Sequence, residues 1–283
     1  MKIKVTADST CDLSRELLDR YDITIVPLYV LKDGKSYRDG VDITPEDILR
    51  HVNAGGELCT TSAVTIVDYQ TFFRSFSAIC DAVIHICIGS GFSSCYQNAC
   101  IAAKEFSNVY VIDSRNLSTG QGLLSVEAAR LAQTEPDAGK ICEKLRELTG
   151  RVEASFLINR LDYLRKGGRC SLIASMGANI LQLKPCIEVS EGKMQVAKKY
   201  RGSFEHCVAA YVKDRLCGRS DLAVDRAFIT HTGVPVQTVS EVHEAVGRYA
   251  EFGEVLETRA GCTVFCHCGP GTLGILFIRE QTN

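Results

Sequence analysis

The chain opens on an apolar run at residues 3–7 that Asp8 interrupts. Apolar positions then recur at helical spacing over residues 12–21 and close up again over 23–30. A short apolar run bounded by turn formers predicts a strand, and three-to-four-residue spacing predicts a helix. Read this way, the first half predicts strands at 3–7, 23–30, 82–88 and 109–112. Between and after them it predicts helices at 12–21, 44–53, 67–76 and 94–106, one starting near Gln121, and a charged one at 138–148. This alternation predicts a parallel sheet with helices on both faces.

The second half has a different rhythm. A strand at 155–158 precedes a polar stretch around Lys166-Gly167-Gly168, and the runs 185–190 and 194–199 flank Glu191-Gly192-Lys193, the spacing of a hairpin with a glycine turn. Helices at 204–215 and 240–252 alternate with strands at 227–231, 255–258 and 274–278. A hairpin beside crossover helices predicts a mixed sheet, hence two α/β domains, 1–150 and 151–283, meeting near Gly150.

Composition narrows the classes. The chain has 283 residues, 46% of them hydrophobic and 23% charged, enough to fold around its own core without disulfides or metal. A net charge of −2 gives no reason to expect nucleic acid or an acidic membrane as partner. No secretory signal pattern is present, and no apolar run approaches the roughly 18 residues of a membrane span, so a cytoplasmic protein without an integral membrane segment is expected. Most of the fourteen cysteines sit in apolar runs and read as small buried hydrophobes in a reducing compartment. The one tight group is Cys262, Cys266, His267 and Cys268. On a strand, Cys266 and Cys268 would face opposite ways, which argues against zinc.

Three corners after predicted strands are rich in hydroxyls: Asp8-Ser9-Thr10, Thr60-Thr61-Ser62 and Gly89-Ser90-Gly91-Phe92-Ser93-Ser94. Carboxyl ends of parallel strands, where the next helix offers free N–H groups, are where α/β proteins collect ligands. In the third corner, Gly89 and Gly91 allow a tight turn and a close approach to a ligand. Ser94 and Gln97 have capping-box spacing, so Ser93 is left facing the corner, which suits a carboxylate as well as a phosphate. Each hydroxyl also has the plainer reading of a helix cap, as Thr65 does for the next helix, and the capping-box pair Ser118 and Gln121 is read as structural. The same corner nearly matches a dinucleotide fingerprint, with Asp113 ending the following strand. No phosphate-loop motif or G-x-S-x-G elbow occurs. His51, His85, His206 and His243 read as packed or solvated, whereas His231 and His267 fall near apolar strand ends. Arg165, Lys166 and Arg169 surround Gly167-Gly168, where a defined loop could present a guanidinium to an anion or partner.

Taken together and in order, these segments resemble the DegV family of bacterial fatty-acid-binding proteins. The resemblance is carried by Val5 to Leu13, Tyr37 to Ile43, Thr61-Ser62, Ile88 to Gln97, Val111 to Ser114, Leu161 to Ser171, Lys184-Pro185 and Gly269 to Gly274. Ala63-Val64-Thr65 and Ser94-Cys95 depart from it, where the family usually has glutamine and proline, and glycine and threonine. It implies a lipid tunnel between or beneath two α/β domains. Thr61, Ser62, Ser93 and Ser94 would hold the carboxylate of one long-chain fatty acid, with Arg169, His267, Gly271 and Thr272 near the opening or facing a partner. The implied partner is a separate ATP-dependent fatty-acid kinase, with no cofactor, metal or catalytic residue of the chain's own. The alternative left by the residues themselves is a nucleotide- or dinucleotide-dependent small-molecule enzyme built on the 89–94 loop.

Overall fold

The computed structural model describes residues 1–170 and 183–281. Ser171, the end of one resembling segment, lies outside the described residues, as does Asn283. Strand β1 (Ile3–Asp8) leads through a 3-10 turn to helix α1 (Arg15–Arg20) and β2 (Ile23–Val26). The helix expected from residue 12 starts later. Asp12 adopts φ 51°, and Ser14 caps the helix by accepting the Leu17 N–H. The strand expected over 23–30 breaks at Pro27, which lacks a ladder donor. Its second part, β3 (Tyr29–Lys32), joins a separate antiparallel sheet with β4 (Lys35–Arg38) and, beyond α2 (Pro45–Asn53), β5 (Thr60–Ser62).

Helix α3 (Ile66–Ser77), started by a Thr65–Asp68 capping box, leads to β6 (Ala82–Cys87), whose residues are all buried. Helix α4 (Cys95–Ala103) and β7 (Val109–Asp113) complete a parallel sheet of order β2-β1-β6-β7. Helices α5 (Thr119–Thr134) and α6 (Ala138–Thr149) follow. The second sheet begins with β8 (Val152–Leu157), then α7 (Leu161–Gly167) and the hairpin β9 (Leu183–Ser190) and β10 (Lys193–Arg201). Glu191 and Gly192 make the turn with φ 50° and 74°, the paired positive angles a two-residue hairpin turn needs. Helix α8 (Phe204–Leu216), β11 (Leu222–His231), α9 (Val236–Tyr249), β12 (Glu254–Arg259), α10 (Cys262–Cys268) and β13 (Leu273–Arg279) complete a mixed sheet of order β10-β9-β8-β13-β11-β12.

Helix α10 overturns one expectation: Cys262 to Cys268 form a helix between Gly261 and Gly269, not a strand. Helix α5 lies between the two large sheets. Residues 119–126 are buried without interruption, and Leu123, Leu124 and Val126 share one core with Val5, Ile84 and Ile86 on one side and Val152, Ala154, Phe228 and Leu276 on the other.

Candidate functional site

The carboxyl ends of β1 and β6 are tied together by Asp8. Its carboxylate accepts the Thr10 N–H and hydroxyl and, at 2.7 Å, the Ile88 N–H. Beyond Ile88 the 89–94 loop turns back on the protein itself. A Cβ on Gly89 would lie 2.9 Å from the backbone of Arg115 and Asn116, and one on Gly91 would lie 2.3 Å from the Gly192 carbonyl oxygen. These glycines therefore permit backbone-to-backbone approach, not the approach to a ligand expected for them. The expected capping box at Ser94 is also absent. Ser94 is exposed and makes no side-chain cap, whereas the Ser93 hydroxyl accepts the Cys95 N–H at 3.2 Å. Nor does Ser118 cap α5 with its side chain; its hydroxyl donates to Asp12, and Gln121 accepts from Thr10 and donates to the Ile86 carbonyl.

Helix α10 stands opposite this loop, held by two carboxylates from far away in the chain. Asp39 accepts the N–H groups of Cys262 and Thr263, the Thr263 hydroxyl and the Ser9 hydroxyl. Asp12 accepts the Gly261 N–H and the Ser118 hydroxyl. Both relieve the unpaired donors of a helix start. Burial raises the carboxyl of Asp12 to about 8 and pushes that of Asp8 up as well. Local sequence carries no signal for these contacts.

Between α10, β5 and the 89–94 loop lies an open cavity. Thr61, Ser62, Ser93, Arg169 and His267 line it, with Leu28, Ile88, Phe92, Met194 and Val264 as apolar walls. Thr61 Oγ1 is 2.8 Å from His267 Nε2. The other ring nitrogen, Nδ1, is buried without a hydrogen-bond partner among the described residues. Burial, helped by the Arg169 charge, lowers His267 to about 4, so the ring is neutral near pH 7. Gly167 makes room for that ring: a Cβ there would lie 2.4 Å from Nδ1. Arg169 reaches across the mouth, donating to the carbonyls of Gly167 at 2.7 Å and Phe92 at 3.4 Å.

A second, inner cavity adjoins the first through shared walls at Leu117, Val264 and Cys268. It runs beneath α10 among Phe156, Gly274 and Leu276, with Ser118, Thr230, Thr232 and Thr272 around it. Those hydroxyls are engaged within the protein. Thr230 bonds Thr119 and Thr258, Thr232 donates to Gly269, and Thr272 donates to Cys268. Thr272 is thus a buried wall of the inner cavity rather than a residue of the opening. Gly271 lines neither cavity; its N–H bonds the Thr232 carbonyl at 3.2 Å. His231 also borders the inner cavity, with Nε2 on Glu257 and Nδ1 accepting the Val234 N–H. His267 lies on α10 and not at a strand end.

Comparison with known proteins decides the family. The model of the DegV family ("Uncharacterised protein, DegV family") matches residues 2–280. The chain belongs to the DegV family. It is 32% identical to a DegV domain-containing protein of Caldanaerobacter subterraneus over 98% of both chains. Among solved structures it is similar to a DegV family protein of Thermus thermophilus described for its fatty acid binding, with TM-score 0.88, 29% identity and coverage of 99% of this chain and 100% of that one. A DegV lipid binding protein of Thermotoga maritima superposes with TM-score 0.87 at 25% identity over all of both chains. The mixed α/β architecture is therefore that of DegV structures. Among the described residues, one group of three metal-type side chains occurs, Asp8, His85 and Cys87. All three are buried, Asp8 is already engaged as described, and His85 Nδ1 bonds Thr6 at 2.9 Å while its Nε2 has no partner among the described residues. No helix among the described residues is long and apolar enough to cross a membrane.

Proposed function

We propose that this chain carries one long-chain fatty acid, with its carboxylate in the outer cavity and its tail in the inner one, and presents that carboxylate to a separate ATP-dependent kinase. One observation carries the reading: a mouth with hydroxyl and imidazole groups shares its walls with an inner space whose threonine hydroxyls are already paired. Burying a long acyl chain at about 0.8 kcal/mol per CH₂ supplies roughly 10 kcal/mol of transfer free energy, so the head group needs only modest restraint.

The neutral His267 suits that restraint. With Nε2–H donating to Thr61 Oγ1, the Thr61 hydroxyl proton is free to meet a carboxylate oxygen, alongside Ser62, while Ser93 would turn its hydroxyl away from the Cys95 sulfur to join them. Neutral donors leave the carboxylate nucleophilic. One of its oxygens can then attack the γ-phosphorus of ATP held by the partner, releasing ADP and leaving an acyl phosphate for phospholipid synthesis. Arg169, at the rim, is assigned to the partner-facing side. This role belongs to the cytoplasm, where ATP is supplied, and asks no catalytic turnover of the chain alone.

A nucleotide-dependent enzyme using the 89–94 loop is less well supported. Asp113, which would take a ribose, instead accepts the N–H and hydroxyl of Ser90 and the N–H of Arg115. Native mass spectrometry of freshly purified protein, followed by organic extraction, tests the proposal. A stoichiometric adduct that extracts as free fatty acid is expected; failure to bind even added oleate overturns it. Arg169→Ala is expected to reduce phosphorylation of bound oleate by the kinase partner more than it reduces oleate retention, and equal losses would move Arg169 into the carboxylate site.

A further inference from the structure

Two thiols flank the Thr61–His267 contact. Cys59 lies two residues before Thr61, and Cys266 directly precedes His267 on α10. Both belong to one buried cluster with Val30, Ile48, Tyr163 and Phe265. Their environments differ. The neighbouring Cys266 thiol, aided by the nearby His51 and Lys32, holds the Cys59 thiol below the usual range, while the neighbouring Cys59 and burial push Cys266 up. Both thiols are buried, and Cys59 is flanked along the chain by exposed Glu57 and Thr60. Elsewhere, burial pushes Cys11, Cys87, Cys95 and Cys268 up, the condition of inert core thiols.

We propose that Cys59 and Cys266 are a peroxide-sensitive pair whose disulfide ties the Thr61 strand to the His267 helix across the cavity mouth and slows ligand exchange there. The chemistry needs only hydrogen peroxide. The Cys59 thiolate attacks one peroxide oxygen and the O–O bond breaks; sulfur is oxidised to the sulfenic acid, and the other oxygen leaves as water after taking a proton. The Cys266 sulfur then attacks the Cys59 sulfur, giving up its proton as the sulfenic oxygen departs as a second water, and the S–S bond forms. A thiol with thiolate character reacting first and a protonated neighbour resolving it is the arrangement of peroxide-sensing cysteines.

The test treats the full chain with hydrogen peroxide, blocks remaining thiols with N-ethylmaleimide, and maps peptides without reduction. The expected product joins the Cys59 and Cys266 peptides, and dithiothreitol reverses it. In Cys266→Ser, dimedone is expected to trap a sulfenic acid at Cys59; in Cys59→Ser, Cys266 is expected to stay reduced. Oxidation confined to exposed Cys217, or pairing of Cys59 with another cysteine, overturns the site. For the effect on the cavity, oleate release from the oxidised wild type is expected to slow several-fold and to recover on reduction. Unchanged release overturns the coupling to the mouth. Peptide mapping does not depend on any ligand, so failure of oleate to bind would count against the fatty-acid reading and leave the disulfide result standing.

Discussion

The outer and inner cavities are lined by the same kinds of side chain, yet they offer a ligand opposite things. In the outer one, Ser93 and Thr263 are engaged with Cys95 and Asp39, but Thr61 meets a neutral histidine whose second nitrogen is unpaired among the described residues. In the inner one, Thr230, Thr232 and Thr272 have their hydroxyls committed to other protein groups. Polarity at a wall is therefore set by which hydrogen bonds remain to be made, and residue type alone does not reveal it. A threonine whose hydroxyl is engaged behaves toward a ligand as an apolar residue.

The strongest way to break this comparison is to enlarge a side chain in the wall that the two cavities share. Val264 borders both, so Val264→Trp is expected to abolish the hexadecanoate adduct in native mass spectrometry while octanoate still binds. Next comes the inner wall. Thr232→Val leaves the Gly269 carbonyl and the Thr272 N–H short of a partner, and urea denaturation should show a loss of about 1–3 kcal/mol with fatty-acid affinity unchanged. The outer wall should answer in affinity too. Thr61→Ala is expected to weaken oleate binding by about 0.5–1.5 kcal/mol in calorimetry, and to cost stability as well, because it leaves the His267 Nε2–H without its acceptor.

The smallest effect is expected from pH near neutrality. His267 has a folded pKa of about 4 against an ordinary 6.5, so the unfolded chain takes up its proton first as pH falls. Its contribution is constant above 6.5 and turns unfavourable between 6.5 and 4. The stability of wild type minus that of His267→Gln should be flat above 6.5 and decline below it, a difference that removes the opposing influence of Asp12. A flat difference down to pH 4 would mean that His267 is charged or solvated in the folded protein.

Helix α4 with the loop before it and helix α10 mark the limit of what the sequence discloses. The strand before α4, its glycine-serine loop and its approximate start were legible because the signals are local. Even there the cap is Ser93 rather than Ser94, a shift of one residue that no spacing rule separates. Helix α10 was read as a strand because seven mostly apolar residues fit either period. Its supports, Asp39 and Asp12, stand 223 and 249 positions from their partners, beyond any local pattern. Residue-by-residue reading left Thr61, Ser93, Arg169 and His267 as separate possibilities, and the family resemblance grouped them; the fold lines one cavity with all four. It leaves Ser94 exposed, Thr272 in the inner wall and Gly271 in neither, because each of these follows backbone geometry that the resemblance could not specify.

Helix α5 has a bearing on how the molecule comes apart. A helix whose first two turns are buried on every side between two sheets gives neither sheet a complete core of its own. Removing the second sheet would leave Leu123, Leu124 and Val126 facing water, and keeping it without α5 would bare Val152, Ala154 and Leu276. Thermal unfolding should accordingly register as one calorimetric peak. Chains cut after Gly150 should be recovered in folded form when both pieces are made together, and precipitate when either is made alone. The chain behaves in this respect as one cooperative unit, in which heredity can exchange loops freely but cannot readily trade one half for another.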